Sequence, residues 1–346
     1  DAAPAPGAVP VAGRIAVLFG TDRAPDPADG QRFGSARGGR LLLGRAEVDP
    51  SAAADAPPRP WTSRVIAAAA RVAGAPTPGG GGPALDIVEP TRWASLVSDA
   101  IAASPRGDAR ALVVVHGYNT SLETALTRAA SLARDLAFDG LVVVYSWPSE
   151  GRVASYSYDL ASARQSEPFL SEFMAVLAGS GIKSASVLVD GVGAGPALAA
   201  LARLQVPAGS GFYLDQVMLA APDLDARQLA DLATAVRGSA RGVTLYAAAE
   251  DRALGVARRF HGGRPRAGDV AAGEPMVIAG IDTIDASAAG ADVAGAGSAQ
   301  FAHPGAVAAD MAALLRSGAR PPDQRGKAQR VATRAGGFFW RLERQQ

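Results

Sequence analysis

Cysteine is missing from all 346 residues, which excludes a disulfide frame, thiolate catalysis and cysteine-ligated metal. Histidine is almost missing too. His116, His261 and His303 are the whole set, too few for a multi-histidine metal site. Neither sign of charge prevails: 34 Lys and Arg stand against 33 Asp and Glu, so no global field draws the chain to nucleic acid or to an anionic membrane. No apolar run approaches the ~18 residues of a membrane span. Gly191 to Pro196 is a faint match to a dinucleotide loop, but Pro196 stands where the third glycine belongs, and no Gly-Lys-Ser/Thr phosphate loop occurs. No cofactor, metal or nucleic-acid partner is expected. What the chain does have is apolar content, 48% of its residues, enough to bury a large core. Its start, at Asp1 in an Ala/Pro-rich stretch without Met, reads as the mature end left by signal-peptide removal. The expectation is therefore an exported protein, in a periplasm, at a cell surface or outside the cell.

Residues 1–13 are expected to form a flexible tail. Residues 14–20 read as a first strand and 41–48 as a second, closed by the Asp49-Pro50 turn. Residues 75–83, with four consecutive glycines from Gly79, read as a surface insert. Apolar spacing at Trp93, Leu96, Val97, Ala100 and Ile101 predicts a helix over 92–104. A regular alternation follows. Strands are predicted at 111–115, 141–145, 184–189, 216–220, 243–247 and 276–281, and helices at 121–136, most of 155–178, 196–204, 226–236 and 307–315. Strands apolar throughout, spaced by amphipathic helices, imply a mostly parallel sheet covered on both faces, in one α/β domain over 14–315. Residues 316–346 carry eight Lys and Arg against two acids. They are expected to be a solvated basic extension whose Phe338, Phe339 and Trp340 pack on the domain; docking to a partner or an anionic surface is the sharper alternative.

Two stretches carry the chemistry. Val113-Val114-Val115-His116-Gly117-Tyr118-Asn119 reads as a buried strand ending in a turn that a substrate can approach. Val187-Leu188-Val189-Asp190-Gly191-Val192-Gly193-Ala194-Gly195 reads as a second strand running through an elbow into a helix. With these stand Phe19 to Arg23, Phe138 to Gly140, Tyr145 to Gly151, Tyr158-Asp159, Ser162-Ala163, Ala221 to Asp225, Val243 to Tyr246, Asp251 to Leu254, Arg266 to Asp269 and Ile284-Asp285. In this order, over most of its length, the chain resembles the bacterial α/β-hydrolases marked by a His-Gly-Tyr-Asn motif, described as esterase- or lipase-like. The resemblance implies an α/β-hydrolase fold and a serine triad. Members typically read Ala-His-Ser-Met-Gly-Asn at the elbow and Gly-His-Ser-Tyr-Phe/Tyr near the end. Aligned with Val189 to Ala194 and with Gly297 to Phe301, these place Gly191 at the nucleophile and Ser298 at the triad histidine. Asp251 and Asp223 are the two candidates for the acid. His116 is implied to brace the loop by hydrogen bonding, and Gly117, Tyr118, Asn119 and Val192 to form the oxyanion pocket.

Ester hydrolysis on such a fold needs a nucleophilic oxygen, a base to activate it, an acid to orient the base, and oxyanion donors. Glycine offers no attacking atom. Loss of nucleophile and base leaves a residual rate on the order of 10³–10⁴ over water. Asp190 stands one place early for the elbow, since Val192 would then occupy the position of the strain-relieving glycine. His303, before Pro304, is the candidate for a relocated base with Asp223 or Asp251, and its plainer reading is a surface-loop histidine. Arg23 and Arg266 read as structural ion-pair partners, and Asp251-Arg252 as a retained acid or an ion pair holding a loop. Three functions stay open. One is a catalytically impaired, exported binding or assembly module whose partner is a protein or a small acyl or ester ligand. The others are an active carboxylic-ester hydrolase with a relocated base, and a structural subunit of a cell-envelope assembly.

Overall fold

The structure, a computed structural model, describes residues 13–27, 29–53, 83–104, 108–249, 252–289, 305–326 and 328–343. The tail 1–12 and the glycine run up to residue 82 lie outside them. Chain order begins with strands β1 (Ile15–Asp26), β2 (Asp29–Val48) and β3 (Leu85–Val88), then helix α1 (Pro90–Ala103). β4 (Arg110–Val115), α2 (Leu122–Asp135), β5 (Leu141–Ser146), α3 (Tyr156–Gln165) and α4 (Glu167–Gly179) follow. Next come β6 (Ser184–Asp190), α5 (Ala194–Ala202), β7 (Tyr213–Ala220), α6 (Ala226–Arg237), β8 (Ala240–Ala247) and α7 (Arg252–Phe260). The short pair β9 (Val270–Ala271) and β10 (Glu274–Pro275), then β11 (Asp282–Asp285), α8 (Ala306–Ser317), β12 (Ala328–Ala332) and β13 (Phe338–Leu342) complete it.

Eleven strands join in one sheet, in the order β12-β13-β11-β8-β7-β6-β4-β5-β1-β2-β3. From β13 to β1 every pairing is parallel; β2 and β12 run antiparallel to their neighbours. Side chains alternate across the sheet with period two, as the pleat requires. Val113, Val115, Val187 and Val189 face one core with Trp93, Phe173, Leu198 and Leu229, while Leu112 and Leu188 face another with Met311 and Leu314. Both faces are therefore apolar and both are covered, which is why these strands read as continuous valine and leucine runs. Helix starts follow the local chemistry: the Ser121 hydroxyl caps α2 by accepting from the Thr124 amide (3.2 Å), and the Asp225 carboxylate caps α6 by accepting from the Arg227 amide (2.9 Å).

Three expectations are corrected. Residues 276–281 form no strand. They are apolar because Ile278 and Ile281 are buried, and the ladder is made instead by Asp282–Asp285. That short strand looks polar in sequence, yet its acids are held: Asp282 by Arg320 (3.0 Å) and Asp285 by Arg341 (2.9 Å). The second strand begins at Asp29 rather than Leu41, because β1 and β2 continue their pairing to Asp26 opposite Asp29. Residues 328–342, expected as a solvated extension, are two strands of the sheet itself, with β13 parallel to β11. Phe339 and Trp340 are buried, whereas Phe338 is exposed beneath the Arg330 guanidinium.

Candidate functional site

β4 lies between β5 and β6, so the order of the strands reverses there, and open α/β sheets form their ligand crevice at the carboxyl ends of strands at such a point. Val115 pairs with Val189, which sets His116-Gly117 alongside Asp190-Gly191. Gly191 has φ +48° and opens a 3-10 turn, Gly191–Gly193, that runs straight into α5. A strand, a strained residue and a helix in this order make an elbow. A Cβ on Gly191 would meet only the Gly117 Cα, at 4.0 Å, so the space beside it is open. Gly193 is the reverse case: its Cβ would lie 2.7 Å from the His116 carbonyl oxygen, and only glycine lets α5 start under that loop. The Asp190 carboxylate fills the place of a Gly117 side chain, its Oδ2 falling 2.7 Å from where that Cβ would stand.

The His116 ring braces the loop. Its Nδ1 lies 2.7 Å from the Gly117 carbonyl, which can only accept, so Nδ1 carries the proton. Nε2 then accepts from the Ser146 hydroxyl at 3.0 Å, and that oxygen in turn accepts from Arg23 Nε at 3.0 Å. The ring stacks on Trp147 with centroids 4.8 Å apart, and Trp147 Nε1 donates to the His116 carbonyl (2.8 Å). Burial, then the Arg23 charge, holds the imidazole pKa down to about 3, so it is neutral with both nitrogens engaged. Arg23 is wholly buried; burial lowers it to about 10, still a cation at neutral pH. Its remaining donors reach the carbonyls of Gly34 (2.8 Å), Ser149 (2.9 Å) and Thr120 (2.8 Å). Asn119, at φ +58°, gives its amide to Asp159 (2.9 Å), which also accepts from the Ser149 hydroxyl (2.6 Å).

A second cluster meets the elbow from the end of β7. The Asp223 amide donates to the Gly191 carbonyl (3.0 Å). Its carboxylate, 3% exposed, accepts from Arg266 Nε at Oδ1 and from the Tyr156 hydroxyl at Oδ2, both at 2.6 Å. Arg266 is placed there because the amides of Ala267 and Gly268 bond to the carbonyls of Leu224 and Pro222 (2.9 Å each). The Tyr156 oxygen is also 3.2 Å from His261 Nε2. With the phenolic hydrogen directed at Asp223, His261 Nε2 is the donor in that contact. Burial, then the Asp223 charge, pushes the phenol far above its usual range, so it stays protonated; burial, then Arg266, lowers His261. Tyr118 meets Tyr156 edge-on (5.7 Å) and Phe260 stacks on its ring (4.9 Å). Beside this cluster, between α3, α5 and α6, lies a cavity of about 540 Å³ with Val192, Asp223 and Arg266 in its wall.

A family described as alpha/beta hydrolase of unknown function (DUF900) matches residues 95–317, from within α1 to the last residue of α8. The chain belongs to this family. No curated protein matches it. Membership in DUF900 assigns the α/β-hydrolase fold to the sheet described above, and gives no substrate. In this DUF900 chain Gly191, Gly117, Val192, His116, Tyr118, Asn119 and Asp223 do come together at the switch point. Asp251, Ser298 and His303 lie outside the described residues. The Asn119 amide is bound to Asp159, which removes it as an oxyanion donor. Arg266 is an ion-pair partner, whereas the contacts of Arg23 are carbonyls and Ser146 rather than a carboxylate. Tyr156 and His261 went unread: they stand 67 residues before and 38 after Asp223, and no local pattern links them. Among the described residues no group of three His, Asp or Glu could hold a metal ion, and no helix is long and apolar enough to cross a membrane.

Proposed function

We propose that this DUF900 chain is a catalytically impaired hydrolase homologue, a ligand-binding module that keeps the scaffold and has given up the covalent step. One observation carries the reading: the residue at the strained elbow position is Gly191, with open space where an attacking side chain would stand. The surroundings support it. The His116 nitrogens are both engaged, and both Asp223 oxygens are held by Arg266 and Tyr156, so this acid is not available to orient an imidazole. The Tyr156 hydroxyl is no substitute nucleophile, because its proton is held against the Asp223 charge. A cavity of about 540 Å³ is within the range that takes small ligands. The test is to treat the full chain with a fluorophosphonate probe and to assay a short-chain p-nitrophenyl ester. Neither labelling nor turnover above buffer is expected. A labelled serine would reverse the proposal in favour of a relocated hydrolytic centre, and a stoichiometric co-purifying protein would favour an assembly role.

A further inference from the structure

We infer that the cavity between α3, α5 and α6 binds an amphiphilic anion, an apolar chain ending in a single carboxylate or phosphate. This deepens the binding-module reading and rests on it. The inner wall is apolar, built from Leu160, Val192, Ala199, Leu224 and Leu232. Among the cations of the lining Arg266 is the buried one, its side chain only 10% exposed. Of the five donors of that guanidinium, the one side-chain contact is Nε to Asp223; the two terminal amino groups have no acceptor among the described residues, and Arg266 lines the cavity. A buried guanidinium fork with its two ends open fits a carboxylate or phosphate oxygen pair, and a neutral ester carbonyl would satisfy it only in part.

The charges of the wall balance in number, four arginines against four carboxylates, but differ in how far they are engaged. Three of its carboxylates are already engaged: Asp223 with Arg266 and Tyr156, Glu167 with Arg203, and Asp225 in capping α6. Arg164 on α3 and Arg227 on α6 are exposed at the rim and make no ion pair among the described residues. Asp231, one turn beyond Arg227, is the acid left to oppose them. The two rim arginines left without an ion-pair partner, with the Arg266 guanidinium behind them, supply the donors that a singly charged headgroup takes. The apolar side chains that share the lining ask for a chain attached to that headgroup.

The full chain would be titrated calorimetrically with decanoate, decyl phosphate, decanol and inorganic phosphate. The expected result is one site that takes decanoate or decyl phosphate at least tenfold more tightly than decanol, and from which equimolar inorganic phosphate does not displace them. Arg164→Glu with Arg227→Glu, both at exposed positions, should weaken that binding at least tenfold and leave the melting temperature unchanged. Arg266→Gln should abolish it; because this variant strands a buried carboxylate, the rim pair keeps the test valid if it fails to fold. Equal binding of decanol, displacement by inorganic phosphate alone, or no binding of any chain-bearing probe overturns the inference. None of these restores hydrolysis, so each leaves the impaired-hydrolase reading standing. That reading fails separately, on ester turnover or fluorophosphonate labelling, whatever the affinities.

Discussion

At the elbow two glycines, two positions apart, serve opposite ends. Gly191 needs glycine for its backbone angle and has room for a side chain, whereas Gly193 needs it for room. Gly191→Ala should therefore lower stability by about 1–2 kcal/mol, the left-handed penalty, and Gly193→Ala by about 3 kcal/mol, since a backbone carbonyl must move. Urea midpoints decide it, and equal losses would refute this account of the elbow. Gly191→Ser should fold as Gly191→Ala does and still resist fluorophosphonate, because both His116 nitrogens are engaged and His261 Nε2 is turned to the Tyr156 hydroxyl. His116 gives a pH signature. Its folded pKa, about 3, lies below the ordinary value of 6.5, so the unfolded chain binds the proton more readily. The contribution is complete above about pH 6.5 and is lost as pH falls toward 3, at up to about 1.4 kcal/mol per pH unit. His116→Gln should flatten that slope between pH 6 and 4, and an unchanged slope would mean the imidazole is not held neutral. Much of this was legible in the sequence. Val-Val-Val-His-Gly and Asp-Gly-Val-Gly mark both strand ends, and the bracing role of His116 is what the family resemblance implies. The Tyr156–Asp223–Arg266 contacts were not, because they join loops that only the folded sheet edge brings together.

The C-terminal strand pair shows what periodicity misses at the level of elements. Central strands announce themselves because both faces are buried, as in Leu141–Ser146, where every residue is inside. Strands at or beside an edge alternate with charge, and Ala328–Ala332 and Phe338–Leu342 read as a basic tail until Arg341 is seen against Asp285 and Trp340 against Ile284. Likewise Asp282–Asp285 reads as a loop while the apolar 276–281 reads as a strand, because the acids of β11 are neutralised by arginines far along the chain. If β13 is a true part of the core, its two faces differ in weight. Trp340→Ala should cost about 3–5 kcal/mol by emptying a buried site, and Phe338→Ala, at a position 42% exposed, less than about 1 kcal/mol. Guanidinium unfolding followed by far-UV circular dichroism compares them, and similar losses would mean that the strand pair lies loosely on the sheet.

For the whole molecule, the family match and the folding unit have different limits. The match runs over 95–317, yet the sheet continues through β1, β2 and β3 on one flank and β13 and β12 on the other. Both flanks also send polar side chains inward. From β1, Asp22 accepts from the Tyr145 hydroxyl (2.8 Å) and the Ser166 hydroxyl (2.6 Å), and Arg23 ties together Ser146, Ser149 and Thr120. From the far side, Arg325, whose side chain is fully buried, pairs with buried Asp310 on α8 (2.9 Å), and Tyr246 donates to the same carboxylate (2.7 Å). A fragment of 95–317 would keep Tyr145, Ser146 and Asp310 and lose Asp22, Arg23 and Arg325 as their partners, while opening both edges of a parallel sheet; losing the partner of a buried charge alone costs about 3–5 kcal/mol. Such a fragment is expected to show no cooperative thermal transition and no near-UV dichroism from Trp147. A sharp melt within a few degrees of the full chain would mean that the flanks are appendages. The site should fail along with the fold, because Arg23 reaches His116 through Ser146: a strand outside the family match also holds the loop at the sheet's centre.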